Sequence, residues 1–187
     1  MVEEGENSIE VFEGKDFRNW LKKNQFKENH VLVILYKKHT GKNKTNAAEL
    51  MREAICFGWI DTTAKRIDDE RWAINYRKRN KKSRWSYNTL RYAEELIKEK
   101  KMTASGMEAY REGKKKLPHD YGIAANPSMP KELKIALEKS KKARSNFNKF
   151  SSSIKKTYYR WLLKAKLPET KQKRIETIIK KSLENTK

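Results

Sequence analysis

The chain has 187 residues, 36% of them apolar and 10% aromatic, which is enough to bury a core and excludes a wholly disordered polyelectrolyte. Lys and Arg number 45 against 24 Asp and Glu, and the resulting +21 exceeds what solubility requires. It points to a polyanion as partner, either nucleic acid, an anionic headgroup or a phosphorylated ligand, with a Lys-rich surface habit as the alternative.

The first 13 residues carry five glutamates and no base, and read as a frayed tail leading into a short strand near Ile9, Val11 and Phe12. An acidic start is unlike a secretory leader, and no apolar run approaches the roughly 20 residues needed to span a bilayer, so a cytoplasmic protein without a transmembrane segment is expected. Lys15–Asn24 sets Phe17, Trp20 and Leu21 on one stripe of a short helix. The run Val31–Tyr36, VLVILY, is rich in β-branched residues between polar flanks and reads as a buried strand. Asn46, three residues before Glu49, predicts a helix start, and Gly58 predicts its end.

Trp59–Ile67 and Trp72–Arg77 predict an antiparallel hairpin turning at Asp68-Asp69-Glu70, with Trp72, Ile74 and Tyr76 on its apolar face. From Trp85 the period becomes helical through Leu90, Ala93, Leu96 and Ile97, and a second helix starts at Thr103. Leu117–Met129, with Pro118, Gly122 and Pro127, reads as a linker. Beyond it come a helix from Pro130, a stripe of Ile154, Tyr158, Trp161, Leu162 and Ala165, and, after Pro168, a stripe of Ile175, Ile178, Ile179 and Leu183. Residues 131–187 hold 18 bases and 5 acids, a net +13. The fold expected is α+β: a small antiparallel or mixed sheet flanked by helices in residues 1–116, a linker over 117–129, and a C-terminal helical module over 130–187.

Four ordered motifs resemble those of the YdeI/OmpD-associated, or bacteriocin-protection, proteins. Ala54-Ile55-Cys56-Phe57-Gly58-Trp59-Ile60-Asp61 is similar to that family's ALCFGWIDG, and Ser83-Arg84-Trp85-Ser86 to its S-x-W-S. Met102-Thr103 with Gly106 resembles its M-T-P-A-G segment, and Ala165-Lys166, Glu169-Thr170 and Arg174-Ile175 resemble its C-terminal signature. The chain departs from the pattern at Thr62, where the family has glycine, at Lys78, where it has proline, and at Thr89, where asparagine is common. The resemblance implies a link to bacteriocin resistance or envelope stress and supplies no shared chemistry.

Arg77-Lys78-Arg79-Asn80-Lys81-Lys82-Ser83-Arg84 packs six cations and no acid into eight residues, beside Trp85 and Tyr87. Such a run neutralises phosphates while an aromatic stacks on a base; a solvated loop is the plain alternative. Asp61 lies mid-strand, where Asp is disfavoured, and the two-residue period puts Thr63 and Lys65 on its face. The candidate ligand site therefore comprises Asp61, Lys65, Arg77, Arg79, Lys81, Lys82, Ser83, Arg84 and Trp85. Cys56, between Ile55 and Phe57, reads as a buried thiol that cannot pair within the chain, and His30, His39 and His119 are scattered, so no metal site, cofactor or catalytic residue is assigned. Phosphate loops and nucleophile elbows are absent from the sequence. The function expected is non-enzymatic binding of an anionic partner by the basic loop and the basic C-terminal helices. A dedicated RNA- or DNA-binding protein, or an enzyme acting on a polar small molecule around Asp61, are the alternatives.

Overall fold

The computed structural model describes residues 7–186 and divides into two compact units, one ending at Pro118 and one beginning at His119. The acidic first six residues, read as a frayed tail, lie outside the described part.

The first unit is α+β. Its elements run β1 (Ser8–Glu10), α1 (Gly14–Asn24), β2 (His30–Tyr36), α2 (Ala47–Cys56), β3 (Trp59–Arg66), β4 (Arg71–Lys78), α3 (Tyr87–Lys98) and α4 (Ala104–Lys114), with one 3-10 turn at Lys38–Thr40. The sheet order is β1-β2-β4-β3; β1 runs parallel to β2 and the other pairs are antiparallel, so the sheet is mixed. Alternation along β2 and β4 puts Val31, Val33 and Leu35 opposite Tyr76, Ile74 and Trp72. This face meets Phe17 and Leu21 of α1, Leu50, Ala54 and Ile55 of α2, and Ala93 and Leu96 of α3 in one core.

Local chemistry fixes the element ends. Asn46 accepts from Ala48 N and Glu49 N, while Glu49 turns back to accept from Thr45 Oγ1 at 2.7 Å. Gly58, with φ +75°, lets the chain leave α2 and enter β3 at once. Ser86 and Thr89 cap α3 reciprocally.

β3 differs from expectation. A bulge between Asp61 and Thr63 shifts the register, pairing Asp61 with Tyr76 but Thr63 with Asn75 and Lys65 with Ala73. Asp61 and Lys65 thus fall on opposite faces, because an inserted residue flips every side chain beyond it. Thr62 stands at the bulge and donates its hydroxyl to Asn75 O at 3.1 Å.

The second unit is helical: α5 (Lys131–Glu138), α6 (Lys141–Lys149), α7 (Ser152–Leu163) and α8 (Pro168–Leu183). Leu133, Leu137, Phe147, Phe150, Leu162 and Ile178 lie at its centre. α6 has only Ala143 and Phe147 as buried positions, too sparse a stripe to be singled out from sequence. The stretch read as a linker is partly built into this unit, since Arg160 donates to Asp120 Oδ2 at 3.0 Å and to Ala124 O at 2.8 Å. Among the described residues no helix is long and apolar enough to cross a membrane.

Candidate functional site

Past the end of β4 the ladder gains one more bond, Arg79 N to Gly58 O at 2.9 Å. The chain then closes a tight turn in which Ser83 N donates to Asn80 O at 2.9 Å, Asn80 N to Ser83 Oγ at 3.0 Å, and Lys82 N to Asn80 Oδ1 at 2.9 Å. The loop is therefore ordered by its own Asn and Ser. Its tip presents Lys81 and Lys82 to solvent. Two further ties hold it in place: Lys116 Nζ donates to Lys81 O, and Arg84 Nη2 donates to Leu117 O and Pro118 O at 3.0 and 3.3 Å.

Arg79 is the centre of this arrangement. Its guanidinium lies 3.9 Å over the Trp85 ring, Nε donates to Trp59 O at 3.3 Å, and Nη1 reaches toward Arg84 O at 3.5 Å. Nη2 is enclosed and has no hydrogen-bond partner. Among the described residues no carboxylate forms an ion pair with this cation; burial pushes the guanidinium down to about 10, against a weaker opposing pull from Asp61. Even a half-buried cation without a counterion carries a desolvation cost.

Trp85 is 2% exposed and forms the floor. It packs edge-on to Tyr110 at 6.2 Å, and a Cβ on Gly113 would overlap its indole ring, so glycine there is what lets α4 approach. With Arg79 on its face, this tryptophan holds the cation in position.

Over this floor opens a cleft of about 660 Å³. One wall carries Lys78, Arg79 and Lys81, another is α4 with Glu108 and Glu112, Lys116 past the end of α4 reaches back to the loop, and Phe26 stands among the lining residues. The volume falls in the range of small-molecule sites. Glu112 is held below the usual carboxylate range by Lys115, which bonds it at 2.5 Å. The lining thus carries cations on the loop and carboxylates on the helix.

Of the residues singled out from sequence, Arg79, Lys81, Ser83 and Trp85 line this cleft, while Arg77, Lys82 and Arg84 belong to the same segment without lining it. Asp61 and Lys65 are exposed on β3 and are not part of the lining. Burial raises the Tyr76 hydroxyl well above the usual tyrosine range, and the Asp61 charge adds to that in the same direction. Phe26, Glu108, Glu112 and Lys116 escaped sequence reasoning. Only Phe26 left a signal, as a lone aromatic in the polar stretch Asn24-Gln25-Phe26-Lys27-Glu28. Cys56 is buried, its thiol pushed up by desolvation against the nearby Arg18.

Comparison with curated proteins and with solved structures finds no match. Comparison with protein families finds two. Residues 126–185 match the bacteriocin-protection, YdeI or OmpD-associated family, and this stretch contains the Ala165–Ile175 motif. Residues 9–109 match a domain of unknown function, DUF8412, and contain the other three motifs together with Arg79, Lys81 and Trp85. Since that second match spans more than half of the chain, the protein belongs to the DUF8412 family and carries a YdeI/OmpD-associated domain behind it.

Proposed function

We propose that the protein is a non-enzymatic, cytosolic binder of a phosphorylated or otherwise anionic ligand, and that the cleft over Trp85 is the binding site. The observation that carries this reading is the Arg79 guanidinium, half-buried, stacked and without a carboxylate partner among the described residues, in a cleft whose loop wall adds Lys78 and Lys81. An arriving anion would supply the missing counter-charge and bond to donors already fixed in place. The basic helices of the second unit offer a separate surface to polyanions, and a role in stress or bacteriocin resistance follows only from the family likeness.

The test is retention on immobilised heparin and binding of ribose 5-phosphate by calorimetry. Arg79→Met combined with Lys81→Ala is expected to weaken ribose 5-phosphate at least tenfold. Unaltered binding in that double variant removes the cleft from the function. Loss of heparin retention with intact ribose 5-phosphate binding would place the polyanion surface elsewhere.

A further inference from the structure

Phe26 sits in the turn after α1, 78% exposed, and does not join the core cluster of its unit. Isolated exposed apolar side chains are ordinary on protein surfaces. This one differs by its place: it lines the cleft, and Lys78 Nζ lies 5.7 Å from its ring centroid. With so much of the ring exposed, one aromatic face remains open at the mouth of a basic site. Trp85, the aromatic flagged by its basic neighbours in the sequence, has its face taken by Arg79 and its edge by Tyr110, so it offers no stacking surface.

The charges of the lining are also divided. Lys78, Arg79 and Lys81 suit one phosphate on the loop side, whereas Glu108 and Glu112 on α4 oppose a second negative group there. Carboxylates on that wall accept hydrogen bonds from sugar hydroxyls or base N–H groups. A flat, donor-bearing body attached to a single phosphate satisfies all three parts.

We infer that the cleft takes a phosphorylated nucleoside, with the phosphate at Arg79 and Lys81 and the base stacked on Phe26. This rests on the anion-binding reading and names its ligand class. The nucleoside is either a free nucleotide or the terminal nucleotide of a single strand, since base-on-aromatic stacking next to cations serves both.

The experiment compares adenosine 5′-monophosphate with ribose 5-phosphate on the full chain by calorimetry. The parent is expected to prefer the nucleotide roughly 5- to 150-fold, the range that one stacked base gives. Phe26→Ala should bring that ratio close to 1, and Phe26→Trp should restore it. Equal affinity for the two compounds in the parent, or a ratio untouched by Phe26→Ala, overturns the nucleotide assignment and leaves the anion site standing. Failure of both compounds to bind overturns the two readings together. A 5′-phosphorylated single-stranded oligoadenylate binding more tightly than the mononucleotide, with a steep salt dependence, supports the inference with a polynucleotide as source. Equal binding of the two supports it with the free nucleotide as source.

Discussion

Arg79 is kept charged and half-buried at the expense of stability. Its displacement from the ordinary arginine value down to about 10 corresponds to a penalty on the order of 3 kcal/mol in the charged form. Replacing it by Met removes that penalty along with two donations to carbonyls, at Trp59 and Arg84. Arg79→Met is therefore expected to unfold within about 1 kcal/mol of the parent or above it, and not to lose the 3–5 kcal/mol that breaking a paired buried ion costs. Urea titration checks this. A pH dependence follows as well. Above about 10, and up to the ordinary arginine range, the unfolded chain keeps a proton that folded Arg79 has released, so this residue adds stability as pH rises. Tyr76 does the opposite: its folded hydroxyl is raised above the ordinary 10, and stability from it falls as pH climbs past that value. Arg79→Met should consequently show a steeper alkaline loss of stability than the parent.

At the level of elements, the cleft exists because α4 approaches the loop through small residues. A Cβ at Gly113 would overlap the Trp85 indole, and one at Gly106 would overlap the Cys56 carbonyl. Gly113→Ala is expected to cost about 1–3 kcal/mol in thermal or chemical unfolding, as overpacked sites do. By displacing Trp85 it should also weaken anion binding that Arg79 mediates. The elements themselves were readable in the sequence wherever one period dominated: VLVILY as β2, the turn acids as the β3–β4 hairpin, Thr103 as the start of α4. What could not be read was set by tertiary context. The bulge at Thr62 has no glycine to announce it, and it separates Asp61 from Lys65, which simple alternation places together. α6 buries too few side chains to leave a periodic trace.

Over the whole molecule, the +21 charge acts at a distance while the enclosed cation acts in contact. Raising salt shortens the reach of the first and scarcely touches the second. Stopped-flow binding of a phosphorylated ligand is expected to show an association rate that falls steeply with ionic strength and a dissociation rate that changes much less. The same division of labour explains what composition could reveal about the site. The loop Arg77–Arg84 is contiguous and visible as a charge run, whereas Phe26, Glu108 and Lys116 reach the cleft only because β4 and α4 bring distant segments together.

The kinked outer margin of the sheet has a bearing on life at high concentration. β3 borders only β4, leaving its other backbone flank as a template on which a strand from a second copy could build. The bulge at Thr62 breaks the straight run such growth needs, and exposed Lys65 and Arg66 would bring like charges face to face across the seam. The irregularity that spoils the alternation of this strand thereby makes it a poorer template for strand addition.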